Sequence, residues 1–131
     1  MSGEQFLLDT NIVVPFLNGD KTIIKKIKSL TVVQLPFIVP GELYYGAHKS
    51  SKITQNLNNI EEFIKGYCTI YYPSEQTLGV YGKLKQSLSK QGTPIPENDI
   101  WIAAIAQEYD LKLVTRDNHF SHIDKLNTVV W

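Results

Sequence analysis

Apolar positions along the chain alternate between short continuous runs and helical spacings. Gln5 to Leu8 is a short apolar run ending at Asp9, which reads as a buried strand. Asn11 to Leu17 and Lys21 to Leu30 then carry helical spacing, with Ile23, Ile24, Ile27 and Leu30 on one face and Asn18-Gly19-Asp20 as punctuation. Thr31 to Leu35 is rich in β-formers and is stopped by Pro36, giving a second strand. Pro40 suits the first position of a helix running to about Lys49. Ile53, Leu57, Ile60 and Ile64 recur at steps of four, three and four, the amphipathic template, and Gly66 ends that helix. Tyr67 to Tyr72 is a third strand. Ser74 caps a further helix whose inner face is Leu78, Tyr81, Leu84 (or Lys85) and Leu88. Gly92-Thr93-Pro94-Ile95-Pro96 is a stiff loop. Glu97 to Tyr109 is a helix so apolar between Ile100 and Ala106 that most of it must be buried. Lys112 to Thr115 is a fourth strand and Thr128 to Val130 a fifth.

Strands separated by helices of this length pair in parallel, so the pattern predicts a three-layer α/β domain around a central parallel sheet of four to five strands. The 131 residues suit one domain spanning 1–131. Hydrophobic content of 43% with 20% charged residues excludes wholesale disorder. Thirteen Lys+Arg balance 13 Asp+Glu, which argues against a basic arm or an acidic tail but leaves room for a local patch. The single cysteine, Cys68, has no internal disulfide partner and reads as a small buried hydrophobe, in keeping with a reducing compartment. Met1 to Gln5 has no basic residue before an apolar run and does not look like a secretory signal. No stretch approaches the ~18 apolar residues of a membrane helix. A cytoplasmic protein with no membrane partner is expected.

In open α/β sheets, ligands bind beyond the carboxyl ends of the strands. Asp9 follows the first strand and Asp117 the fourth, while Glu42 and Asp99 open helices that start at the same edge. Taken singly, each acid suits a helix cap or a first-turn partner of the helix dipole. Together, 33, 57 and 18 residues apart in sequence, they can converge. Two carboxylates ~4 Å apart repel by about 4 kcal/mol at an effective dielectric of ~20, roughly three pKa units, so four stay ionised together only beside a cation. An oxygen donor set without Cys or His selects Mg²⁺ or Mn²⁺, and the chemistry implied is metal-assisted attack of water on a phosphodiester.

Four segments carry a family resemblance: Leu8-Asp9-Thr10-Asn11, Gly41-Glu42-Leu43-Tyr44-Tyr45-Gly46-Ala47, Asn98-Asp99-Ile100-Trp101-Ile102-Ala103-Ala104 and Val114-Thr115-Arg116-Asp117-Asn118-His119-Phe120. In this order and spacing, over essentially the whole chain, they resemble the PIN-domain ribonucleases, most closely the VapC-type toxins of prokaryotic toxin–antitoxin pairs. The resemblance implies a PIN-like fold, Mg²⁺-dependent endoribonuclease activity (Mn²⁺ as an alternative), a homodimer and inhibition by a cognate antitoxin seated on a groove of the early helices. It makes Asp9, Glu42, Asp99 and Asp117 the catalytic and metal-binding acids. Asp9 and Asp99 are then the main ligands, Glu42 orients or deprotonates the attacking water, and Asp117 acts directly, through water or on a second ion. Thr10 and Asn11 fix the Asp9 carboxylate and cap the first helix, and Thr115 supports it by a hydrogen bond; simple capping or turn chemistry is the alternative for all three.

Other residues stay open. Arg116 suits either a phosphate contact or a solvated surface position. His119 and His122 are set aside as a metal pair, with His119 near enough the site to touch RNA, and His48 is placed on the surface. Lys21, Lys25, Lys26 and Lys28 form a solvated face or an RNA-tracking stripe. Tyr44, Tyr45, Tyr71, Tyr72 and Trp101 read as core or interface residues rather than base-stacking platforms. Two other functions compete. A metal-dependent phosphohydrolase acting on small substrates loses ground in its aspartyl-phosphate form, because Asn11 stands where a second Asp is needed. A non-catalytic RNA-binding or regulatory subunit would be expected to lack part of the acidic set.

Overall fold

The computed structural model describes residues 5–131; the Met1 to Glu4 start, part of the segment read above as unlike a secretory signal, lies outside them. The elements in chain order are β1 (Phe6–Leu8), α1 (Thr10–Leu17), α2 (Lys21–Lys28), β2 (Val33–Pro36), α3 (Ile38–His48), α4 (Ile53–Tyr67), β3 (Cys68–Tyr71), α5 (Glu75–Gln91), α6 (Glu97–Glu108), β4 (Lys112–Val114), a short 3-10 helix (Asn118–His122) and β5 (Thr128–Val129). All strand pairs are parallel and the sheet order is β3-β2-β1-β4-β5, which puts β1 at the centre. The expected three-layer α/β architecture is the one observed.

Successive side chains of a strand point to opposite faces, and β1 shows how this divides the interior. Leu8 packs with Ile12, Val13, Ile23, Leu35, Val39 and other apolar residues of α1–α4. Leu7 packs with Leu88, Ile100, Ile105, Leu113 and Phe120 on the other face. Both leucines are fully buried, and burial of such a side chain is worth about 1.5–3 kcal/mol. Small residues let α6 lie close on the sheet: Ala103, Ala104 and Ala106 are buried along with Ile100, Ile102 and Ile105. That close seating holds the first turn of α6, with Asp99, at the carboxyl edge of β1.

Several boundaries differ from the sequence reading. Pro36 ends β2 instead of stopping it one residue earlier. At the last ladder position its missing N–H costs little, because the bond to the Tyr71 carbonyl of β3 is made by the next residue, the Phe37 N–H, at 2.9 Å. Helix α3 starts two residues before Pro40, which occupies the first turn, where no N–H has an acceptor within the helix. Helix α4 runs through Gly66 to Tyr67. On α5, Leu78 is 55% exposed, and the inward face is Thr77, Tyr81, Leu84 and Leu88. The capping box explains this rotation: Ser74 and Thr77 exchange hydrogen bonds, and Thr77 is drawn inward. Tyr45 and Tyr72 are exposed, not core. Cys68 is half-buried and burial pushes its thiol up to about 12, in line with its reading as an inert apolar residue. No helix among the described residues is long and apolar enough to cross a membrane.

Candidate active site

The chain leaves β1 at Asp9, whose N–H continues the ladder to the Val114 carbonyl at 3.0 Å and whose carbonyl accepts from Ile12 and Val13. Asp9 is therefore the N-cap of α1, with Oδ1 accepting the Thr10 N–H at 2.8 Å. The capping role considered for a lone acid is real, yet it leaves the carboxylate only 6% exposed inside the edge of the sheet. Its second oxygen accepts the Thr115 hydroxyl at 2.8 Å.

Thr115 follows β4 and is the hub of this edge. Its single proton goes to Asp9, while its lone pairs accept the Asn11 amide at 3.4 Å and the Asp117 N–H at 3.0 Å. A hydroxyl can do no more. Asn11 closes the loop by accepting the Arg116 N–H at 3.1 Å. These bonds tie the end of β1 to the end of β4, so Asp9 and Asp117 are held by one network. The supporting role expected of Thr115 is present. Thr10 differs: its hydroxyl donates to Glu42 Oε1 at 2.6 Å, so it positions Glu42, while only its backbone serves Asp9.

Asp99 lies in the first turn of α6 and Asp117 caps the 3-10 helix by accepting the His119 N–H at 2.9 Å. The His119 ring Nδ1 then lies 3.0 Å from both Asp99 Oδ2 and Asp117 Oδ1. One ligand atom from each of Asp99, Asp117 and His119 falls within a 4.8 Å sphere of mutual distances. His119 and His122 thus form no pair, as expected, and His119 lies near the site; what the sequence reading did not include is its contact with Asp99 and Asp117. His122 lines a separate groove between α5, α6 and the 3-10 helix, whereas His119 stands among the acids. The residue spacing hid this, because the partner that matters is Asp99, 20 residues away.

Electrostatics follow from this crowding. Burial raises the Asp9 carboxyl above its ordinary value, the hydrogen bonds from Thr115 and Thr10 oppose that, and repulsion from Asp99 and Glu42 adds to it. Asp99 is raised first by burial and also by Asp117 and Glu42, against the lowering contact with His119. His119 is raised in turn, chiefly by its hydrogen bond to Asp99. All four acids named from the sequence are therefore within one electrostatic neighbourhood. Arg116 is exposed and its Nε donates to the Trp131 carbonyl at 3.1 Å, so its guanidinium is tied to the segment after β5.

A donor set of carboxylate oxygens, gathered where burial and then mutual repulsion lift two acids, fits a divalent cation. The arrangement gives an acidic, partly buried floor formed by Asp9, Asp99 and Asp117, with Glu42 exposed at its rim.

Comparison with known proteins agrees in fold and extent. The chain matches the PIN domain family over residues 6–126. It is similar to Ribonuclease VapC1 of Haemophilus influenzae, with 34% identity covering 96% of this chain and 97% of the relative. It is 28% identical to the tRNA(fMet)-specific endonuclease VapC of Shigella flexneri, covering 97% and 98%. The crystal structure of VapBC2 from Rickettsia felis bound to a promoter DNA fragment contains a chain that superposes with a TM-score of 0.87 at 30% identity, covering 96% of this chain and 98% of that one.

Proposed function

The chain belongs to the PIN-domain family, and on that premise we propose that it is an endoribonuclease that hydrolyses phosphodiester bonds in RNA and serves as the toxin of a toxin–antitoxin pair. The observation that carries this reading is the convergence of Asp9, Glu42, Asp99 and Asp117 at the carboxyl edge of β1 and β4, with more acid than donor to answer it. The full acidic set also argues against a subunit that only binds RNA.

Asp9, Asp99 and Asp117 would hold the cation, Mg²⁺ or in its place Mn²⁺. When bound, it offsets the crowded negative charge and polarises the scissile phosphate beside it. The residues of the chain do the rest. Thr115 and the Thr10 N–H fix both oxygens of Asp9, so the carboxylate is oriented before substrate arrives. His119 holds Asp99 and Asp117 at a fixed separation. Glu42, exposed and oriented by the Thr10 hydroxyl, accepts the proton of the attacking water as its oxygen bonds to phosphorus and the P–O bond to the leaving nucleotide breaks.

The antitoxin reading has its own support. A cavity of about 270 Å³ between α1, α3 and α4 is walled by Val14, Leu17, Leu43, Ala47 and Ile60, and Glu42 lies at its border. An apolar helix or strand seated there would sit directly beside the acids. Action as a homodimer in the cytoplasm completes the proposal.

The test is RNA cleavage by antitoxin-free protein with Mg²⁺ or Mn²⁺, compared with Asp9→Asn and Asp99→Asn. Loss of cutting in both variants and in chelator is expected. Equal activity in the variants, or no cutting of a broad RNA panel by the wild type, would refute the assignment.

A further inference from the structure

Ile38, Gly41, Glu42 and Tyr45 lie at steps of three, one and three along α3 and share one face of it. That face borders a cavity of about 460 Å³, completed by Phe37 and by Asn98 at the start of α6. Glu42 belongs to the acidic cluster and Asn98 precedes Asp99, so the cavity and the cluster share a wall. Two further features mark it. Tyr45 is 67% exposed and so adds little to the interior, while Lys49 Nζ stands 4.7 Å from its ring centroid. A Cβ built on Gly41 would meet no heavy atom within 4 Å, so the floor is open because a side chain is missing there, not because the backbone needs a glycine.

We propose that this cavity is a nucleobase subsite for the nucleotide flanking the scissile phosphate. The base lies against the Tyr45 ring, the Asn98 amide reads its edge with one donor and one acceptor group, and Lys49 meets a neighbouring phosphate. Stacking on an aromatic ring tolerates any base, so Tyr45 supplies affinity and Asn98 selectivity. The depression is open enough to admit a base, and Lys49, which stands over the Tyr45 ring outside the lining, matches the charge of the RNA backbone. A second copy of this chain packing on the same α3 face is the competing occupant. The subsite rests on the endoribonuclease reading, and its test is arranged so that the two can fail separately.

Binding is read by fluorescence anisotropy with labelled single-stranded RNA of random sequence, about ten nucleotides long, on the Asp99→Asn protein so that cutting does not intervene. Adding Tyr45→Ala is expected to weaken the apparent Kd about tenfold, Tyr45→Phe to leave it within about twofold, and Gly41→Leu to mimic Tyr45→Ala by filling the cavity. The Gly41 change replaces a helix-weakening residue at a position where an added Cβ meets no neighbour, and its melting midpoint is measured alongside. In otherwise wild-type protein, Asn98→Asp is expected to change the nucleotide preferred at one position beside the cut. Unchanged binding in Tyr45→Ala and Gly41→Leu overturns the subsite, whether or not the wild type cuts RNA. A shift of either variant from dimer to monomer in sedimentation assigns the face to a second copy and also overturns it. Failure of the wild type to cut RNA, with these binding losses intact, removes the nuclease reading alone.

Discussion

Where α5 meets α6, the Glu108 carboxylate takes the Ser74 hydroxyl at 2.8 Å on one oxygen and the Thr77 hydroxyl on the other, while the Thr77 oxygen accepts the Ser74 N–H at 2.9 Å. At the edge of β1 and β4, four carboxylates share two hydroxyls, those of Thr10 and Thr115, and the ring of His119. The materials are the same, carboxylates with threonines at helix starts, but the balance is opposite. In the clasp every acceptor is answered, so the cluster closes the α5–α6 junction. At the sheet edge acceptors outnumber donors, and two of the acids are raised by burial and by neighbouring carboxylates. A polar cluster that satisfies itself holds the fold, whereas one left with surplus charge is arranged for something that comes from outside.

The sharpest break between the two is substitution. Asp99→Asn is expected to lower RNA cleavage by about 100-fold or more, while the midpoint of denaturant unfolding holds or rises. Its removal relieves repulsion from Asp117 and Glu42 at the loss of one partly exposed imidazole contact. Thr77→Val should do the reverse. It takes a fully buried hydroxyl from Glu108 and from the capping box, and should cost about 1–3 kcal/mol of stability, with cleavage per folded molecule unchanged. If both variants lost stability equally, the distinction between the clusters would fail.

Acidity offers a finer probe. Asp9 and Asp99 are raised above 3.8 in the folded chain, and His119 above 6.5. A group whose folded value is raised contributes stability that is complete below its unfolded value and lost as pH rises through the folded one. Without divalent cation, the wild type should therefore melt higher at about pH 5.5 than at about pH 8, and Asp99→Asn should flatten that difference. Thr77→Val should keep the wild-type slope. An unchanged slope in Asp99→Asn would show that the acids are not coupled as the distances indicate.

Much of this contrast was legible in the sequence, and the part that was not has a physical cause. The strand–helix alternation places Asp9 and Asp117 at strand ends, and the sheet rule alone brings them together. Glu42 and Asp99 follow because helices after strands begin at the same edge. Helix rotation was less legible: Leu78 fits the apolar spacing of α5, yet the hydroxyl of Thr77 wins the inward position because Glu108 waits there. The acid contacts of His119 and the exposure of Tyr45 were not legible for a related reason. What each does is decided by a neighbour distant in sequence, Asp99 for the histidine and the open wall beside Asn98 for the tyrosine, and local periodicity carries no record of either.

The central claim, that the sheet-edge acids form a divalent-cation site and the clasp does not, is tested most directly by thermal melts of antitoxin-free protein across a Mg²⁺ titration. At tenfold the dissociation constant, binding to the folded state alone adds about 1.4 kcal/mol, or roughly 5 °C for a chain of this length. The wild type and Thr77→Val should show equal shifts, and Asp99→Asn little or none. A shift in Asp99→Asn as large as in the wild type, or none in any of the three, would contradict the account.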